Sequence, residues 1–496
     1  MNKLRQSLAI IAAVSFPLGI TAQKVYELDL ESSIELAKTQ STRMLILQKQ
    51  LEESAFDMKA AKSSLKTHVD LDLTVPQYTE TIRQWEDSLG VSFYPVRQNQ
   101  VNSYLTINQP LPTDGNLYIR SGVQNFIDYN AEDRLAQVSS SIGLRQPIDA
   151  FYGYNNIRAS YKRAELNYDL AQKRLKREEL NLVYDVSQAF YRLLSYSESL
   201  NIAVLSMGRQ QEAYDIARSK YQAGLIREVE SLQMEVDLDA AVNNHDIALS
   251  NYNAQLGVFK ESLGIDLADS VRIKAEIVYN EVYVDVEMAV RLALEHRLEL
   301  KENEIQIDLQ KMQIKQRKAA GMINGDILLN YNFIGVNKSP LSYPLEQAFN
   351  DTWLNLQNRP GSFGIGFTVN IPLLDWGENR ARVHSAEASL SQYQYVLDAE
   401  RVTIERDVRS TVDRLQSSLR RVLLLEKSVK VAERSFEISR QRYSNGDIDS
   451  QAMALERERL NTAYNSRLDA FISYKLLLSD LMRKTFYDFE KGEPLV

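Results

Sequence analysis

The sequence predicts a mainly α chain with a β-barrel portion, built as a tandem duplication of helix, strands and two long heptad helices. Three observations predict it. Landmarks recur in order in both halves, apolar residues repeat every seven positions over long stretches, and alternating segments interrupt the helices.

The duplication comes first, because a missed repeat misassigns the whole fold. Asp29-Leu30-Glu31 with Ile34, Leu36 and Ala37 matches Asp285-Val286-Glu287 with Val290, Leu292 and Ala293, at an offset of 256. The same offset carries Asp70-Leu71-Asp72-Leu73 onto Asp326-Ile327-Leu328-Leu329. Further on, Tyr221-Gln222-Ala223-Gly224 matches Tyr443-Ser444-Asn445-Gly446 at an offset of 222, which also aligns Asp185-Val186 with Asp407-Val408. The drop in offset places about 34 extra residues in the first half, between Leu73 and Ala164. Residues 23–264 are read as the first repeat and 265–496 as the second.

Each half has one internal order. A helix over roughly 30–66, strands within 68–147 and long helices within 154–263 make the first. A helix over 286–320, strands within 326–371, long helices within 378–484 and a short tail make the second. The strand segments are 68–75, 104–109, 116–126 and 138–145, then 326–334 and 363–371. Their period of two and their Tyr, Val, Ile, Leu and Thr content are strand signals. Short globular strands would read the same way, since barrel strands are weak signals one by one.

The helical pattern is longer. Val186, Leu193, Leu200, Met207, Tyr214 and Tyr221 fall at steps of seven, as do Val408, Leu415, Val422, Val429, Phe436 and Tyr443. A sustained seven-residue repeat underwinds a helix and coils it to the left around a partner. An ordinary dimeric coiled coil would use the same heptads. Against that reading stand paired up-and-down helices that are duplicated and joined to strands.

The start of the chain has the pattern of a leader. Lys3 and Arg5 precede an apolar run over 8–20 that ends in Thr21-Ala22-Gln23. A positive start, a short apolar run and a small residue before the break describe a secretory signal peptide, here residues 1–22 with cleavage after Ala22. The chain has no cysteine, which excludes a disulfide framework, thiolate metal sites and a lipid-modified cysteine. No later segment is apolar for long enough to span a bilayer as a helix, so any membrane part must be a β-barrel. A formal net charge of −8 and a pI near 5.4 argue against nucleic acid, which requires a basic face. His68, His245, His296 and His384 share no ligand spacing, and neither a nucleophile motif nor a phosphate-binding glycine loop occurs. No enzyme, cofactor or metal is expected.

The most specific stretch runs Gly364-Ile-Gly-Phe-Thr-Val-Asn-Ile-Pro372-Leu-Leu-Asp375-Trp376-Gly377-Glu-Asn-Arg380-Ala-Arg382, repeated loosely as Arg145-Gln-Pro147-Ile-Asp149-Ala-Phe151-Tyr-Gly153. Proline ends ladder pairing on a strand, and glycine permits a sharp bend into a helix. This stretch resembles the strand-to-helix junction of the TolC family of outer-membrane efflux and type I secretion channels, and the resemblance covers essentially the whole chain after the leader. It implies a homotrimer in which each subunit gives strands to one shared β-barrel and four long helical runs to one shared α-barrel. It also implies a place in outer-membrane lipid of a Gram-negative type envelope, reaching into the periplasm. There the duct would take cargo passively from an inner-membrane pump through a periplasmic adaptor. Family members usually give two strands per half, and the first half here shows four. The extra hairpin near Pro112-Thr-Asp-Gly115 accounts for the insertion, with its place in or against the barrel left open.

The resemblance also marks candidate sites. The turns at 221–227 and 443–449 would form the periplasmic tip, with Tyr221, Gly224, Leu225, Tyr443, Gly446 and Asp447 as adaptor contacts. Many family members carry acids six and nine residues after the second turn glycine, where this chain has Ala452 and Leu455. Glu230, six residues after Gly224, and Asp447 and Asp449 on the second turn are the candidate pore acids. A solvated helix end is an equal reading for these three, and the better one for Glu228. Arg227 and Arg457 are nearby candidates for latching such acids. Pro147, Gly153, Pro372, Asp375, Trp376 and Gly377 shape the strand-to-helix junction and bind nothing. Loops over 77–100 and 337–359 are expected outside the cell. The alternative function, of a different class, is an exported structural coiled coil or adhesin with a β-rich head.

Overall fold

The computed structural model describes residues 24–87, 90–274 and 278–495. The leader expected at 1–22 lies outside the described residues. The first half runs β1 (Val25–Leu28), α1 (Leu30–Gln40), α2 (Thr42–Ser63), β2 (His68–Asp87), β3 (Gly90–Pro110), β4 (Asn116–Asp128), β5 (Asp133–Pro147), then α3 (Asn156–Gln222) and α4 (Glu228–Leu263). The second runs β6 (Ser270–Ile273), α5 (Val286–His296), α6 (Leu298–Ala320), β7 (Asn324–Pro340), α7 (Leu345–Asn358), β8 (Ser362–Asn370), α8 (Glu378–Asn445) and α9 (Ser450–Thr485). A small hairpin of β9 (Tyr487–Asp488) and β10 (Glu493–Pro494) follows.

Two expectations need correction. Each helix expected before the strands is broken in two. Ser41 leaves the helix at ψ 135° and its hydroxyl accepts from the Met44 amide, which starts a new helix by capping it. Arg297 makes the equivalent break at ψ 122°. One extended residue hardly disturbs an apolar period, so the pattern reads through it. The loop expected over 77–100 is instead paired strand of β2 and β3, from Gln77 opposite Gln100 to Asp87 opposite Gly90, and the loop expected over 337–359 contains α7, whose Ala348 and Thr352 are buried. A Cβ on Gly335 would lie 2.2 Å from the Thr352 carbonyl oxygen, so only glycine lets this helix lie so close to β7.

The six strands form one antiparallel sheet in the order β2-β3-β4-β5-β7-β8. The register aligns Val69, Ile107, Ile119, Ile142, Tyr331 and Phe363 in one row across it. The adjacent row is Asp70, Thr106, Arg120, Ser141, Asn332 and Ser362. Side chains alternate faces along a strand, so one face of the sheet is apolar and the other polar from edge to edge. Along β8 the apolar face continues as Ile365, Phe367 and Val369, all exposed in the single chain.

The helices share two homologous cores. In the first half, Leu182, Val186, Phe190 and Leu193 of α3 pack with Phe259 and Leu263 of α4 and with Ala37 of α1. In the second, Ile404, Val408, Val412 and Leu415 of α8 pack with Tyr474, Leu478 and Leu481 of α9 and with Ala293 of α5. Phe259 and Leu481 are equivalent by the 222 offset, and Ala37 and Ala293 by the 256 offset. Beside them, β1 pairs with β6 in parallel, from Val25 opposite Ser270 to Leu28 opposite Ile273. This short ladder ties the two halves together.

Candidate functional site at the helix tips and the strand junction

Helices α3 and α8 have 67 and 68 residues, about 100 Å each at 1.5 Å per residue. The sheet lies at one end of them and the two turns at the other. Both turns close through glycine in the left-handed region, Gly224 at φ +74° and Gly446 at φ +85°. The Leu225 amide donates to the Lys220 carbonyl and the Asp447 amide to the Arg442 carbonyl, each 2.9 Å. These bonds satisfy carbonyls that a helix end otherwise leaves bare.

The two turns touch. Lys220 Nζ donates to the Tyr443 carbonyl at 2.7 Å and lies 4.7 Å from the Tyr443 ring centroid. Tyr443 is buried whereas its equivalent Tyr221 is exposed. Burial, then the charge of Glu230, pushes the Tyr443 hydroxyl pKa above its ordinary value. Glu230 accepts from Arg227 Nε at 3.0 Å, within its own turn. Asp449 is the N-cap of α9, accepting from the Ala452 amide at 2.8 Å. Its charge and its capping role are therefore separable only by choice of substitution. Asp447 follows Gly446 at the apex and takes its place through its own amide bond.

Arg457 does not latch an acid. It is buried, and its Nε and Nη2 have no hydrogen-bond partner among the described residues. It lines a groove between α3, α4 and α9, of about 640 Å³, together with Gln210, Asp237 and Asn461. A second groove of about 190 Å³ sits beside the turns between α3, α8 and α9, lined by Arg209, Glu212, Ile216, Phe436, Tyr443 and Met453. Arg440 reaches Glu212 across it at 3.3 Å. Sequence reasoning missed Lys220, Glu212 and Arg440, because their partners lie more than two hundred residues away.

At the other end, Asp375 organises the entry into α8. Its Oδ1 accepts from the Gly377 amide at 2.9 Å and its Oδ2 from the Asn379 amide at 3.0 Å. Those two amides hold its carboxyl below the usual carboxylate range. Trp376 takes φ +53° and Gly377 φ +85°, so two successive left-handed residues make the bend. Trp376 is 90% exposed and Leu373 89%, an apolar pair outside any core of the single chain. Pro372 lies just past the end of β8, and Pro147 closes β5 opposite Asp326. Gly153 follows the 3-10 turn Asp149–Phe151, where a Cβ would meet the Asp149 carbonyl oxygen at 2.9 Å.

A duplicated helical hairpin, each copy with one arm of about 100 Å and a returning arm of 36 residues, set below an amphipathic sheet with two open edges, defines a channel subunit of a membrane duct. The chain belongs to the outer membrane efflux protein family, whose model matches residues 88–256 and 289–470. It is similar in fold to the CmeC outer membrane channel of Campylobacter jejuni, with a TM-score of 0.67 at 15% identity over 94% of this chain and 86% of that one. The outer membrane protein VceC of Vibrio cholerae gives 0.65 at 14% over 92% and 95%. The open MtrE outer membrane channel of Neisseria gonorrhoeae gives 0.63 at 12% over 92% and 88%. By sequence, no curated protein matches the chain. Members of the family are transport channels, not enzymes.

Proposed function

We propose that three copies of this chain close into one passive duct of a tripartite efflux or type I secretion system. An inner-membrane pump supplies the energy and a periplasmic adaptor meets the helix tips. The reading rests on the open-edged sheet. Edge strands β2 and β8 present unpaired backbone groups, beside an apolar face that suits lipid. Backbone polar groups within a bilayer must be paired, and a closed barrel pairs them all. Six strands are fewer than the eight of the smallest common membrane barrels, so closure calls for further copies, and cyclic symmetry supplies them.

The helices support the same reading. Leu424, Val431 and Ile438 stand exposed on α8 at steps of seven, and Val229 and Val236 on α4 repeat the step. Such stripes are seams awaiting a neighbouring helix. In this reading residues 1–22 are removed on export, and residues 23–264 and 265–496 each build half of a subunit. Tyr221, Gly224, Leu225, Tyr443, Gly446 and Asp447 face the adaptor.

Detergent-extracted protein is expected to have three times the chain mass, 56.8 kDa before leader removal. A detergent-independent monomer or dimer would instead favour an exported coiled coil. An epitope placed between Asp87 and Gly90, or in the loop between β7 and α7, is expected to bind antibody on intact cells. Labelling only after outer-membrane rupture would reverse the topology. Replacing Lys220 with Met removes its tie to Tyr443, worth about 1 kcal/mol. In this reading the turns touch when the tip is closed and part when it opens, so the open state is expected to gain about fivefold in single-channel records, and an unchanged open fraction would remove Lys220 from gating.

A further inference from the structure

We infer that the barrel has eighteen strands, six from each subunit, and that its bore is wide enough to leave size selection to the helix tips. This inference rests on the trimeric reading above and goes beyond it. The inserted strands β3 and β4 are the point at issue, since a chain with two strands per half would close at twelve.

Three observations place β3 and β4 in the wall. First, the ladder is unbroken through them: β3 pairs with β4 from Gln98 opposite Asp128 to Pro110 opposite Asn116, and β4 with β5 from Asn116 opposite Arg145 to Asp128 opposite Asp133. Second, they carry the same two faces as their neighbours. Ile107 and Ile119 continue the apolar row, and Thr106 and Arg120 the polar one. A hairpin lying on the barrel or plugging it would need another pattern. Third, the insertion is knitted to what surrounds it. Tyr118 of β4 covers Gly143 of β5, where a Cβ would come within 2.3 Å of its ring. Aromatic side chains over strand glycines of this kind help hold register.

The turn of the inserted hairpin also holds the start of a long helix. Asp114, at φ +66°, accepts from the amides of Asn156 and Ile157, each at 3.1 Å, and from Asn156 Nδ2 at 2.9 Å. Asn155 Nδ2 donates to the Pro112 carbonyl at 2.9 Å. The N-terminus of α3 is thus fastened to the β3–β4 turn, so the hairpin lies directly above the helical wall.

The sizes match. With strands about 4.8 Å apart and tilted about 40°, eighteen give a backbone radius of about 18 Å and twelve about 12 Å. Four helices of each subunit, α2, α3, α6 and α8, adjoin the sheet. Twelve helices about 9 Å apart make a ring of radius about 17 Å. Eighteen strands therefore stand over the helical ring, while twelve would have to taper sharply. Allowing about 5 Å for inward side chains leaves a bore of about 26 Å, against an α-helix diameter of about 10–12 Å. The outer segment would admit a pair of helices side by side.

Electron cryo-microscopy of the full channel in lipid nanodiscs tests this. The expected cross-section shows eighteen strands with a backbone diameter of about 36 Å; twelve strands near 24 Å would overturn the inference while leaving the trimer intact. An assembly without three subunits would overturn the trimeric reading itself. Because the chain lacks cysteine, single-cysteine labelling gives a second measurement. Thr106→Cys and Gln124→Cys are expected to react with a water-soluble maleimide, and Ile107→Cys and Ile119→Cys to react only with a lipid-soluble one. Equal reaction of all four with the water-soluble reagent would place the hairpin outside the wall.

Discussion

Valine at both Gly224 and Gly446 is expected to abolish export while trimers still reach the outer membrane. The two glycines sit at φ +74° and +85°, a region that β-branched residues almost never adopt. Nothing lies within 4 Å of a Cβ built at either position, so the damage is to the backbone and not to packing. Left-handed backbone costs an L-residue about 1–2 kcal/mol, and more where the side chain branches at Cβ. The helix end can avoid that cost by unwinding, which releases the bonds from Leu225 to Lys220 and from Asp447 to Arg442. The apex shape that an adaptor would meet is then lost. The cores around Val186 and Val408 lie far along the helices, so assembly should be spared. Export of a pump substrate, set against trimer yield in purified outer membranes, checks this. Surviving export would remove the turns from adaptor contact.

Removing charge at Glu230 and Asp449 together is expected to weaken block of the channel by multivalent cations. Threefold symmetry would set at least three carboxylates of each kind around one axis, an arrangement that binds cations. The substitution at 449 has to be Asn. Asp449 caps α9 through the Ala452 amide, and loss of a cap costs about 1 kcal/mol. Alanine there would mix a structural effect with an electrostatic one, whereas Asn keeps an acceptor oxygen and removes only the charge. Glu230→Gln removes the ion pair with Arg227, whose side chain is 81% exposed; such a pair adds little stability. Planar-bilayer recordings of the double variant should show cation block several-fold weaker than the parent, with normal trimer yield. Block equal to that of the parent would leave both acids as solvated helix-end groups.

The amino-acid pattern by itself determined the long helices and the six strand segments, because each rests on local periodicity, and the duplication, because matched residues recur in order in both halves. Steps of seven from Val408 to Tyr443 required a buried seam, and all six positions are buried. Alternation at 116–126 and 363–371 required two faces, which the register supplies. The turn glycines were legible locally as well, since a left-handed helix end favours glycine.

Only the tertiary structure decided what depends on residues distant in the chain. The break at Ser41 came from one side-chain cap, and α7 from its packing on Gly335 of β7. Lys220 meets Tyr443 across 223 positions, a contact that no local period encodes. The inserted hairpin is the clearest case. Its strands were visible as alternation, but their place in the sheet followed from pairing with β2 and β5 and from the hold of Asp114 on the start of α3. Periodicity says which side chains share a face, because that is set by one strand's own geometry. Which strand lies next to which is set by hydrogen bonds between segments, and those form only when the chain is folded.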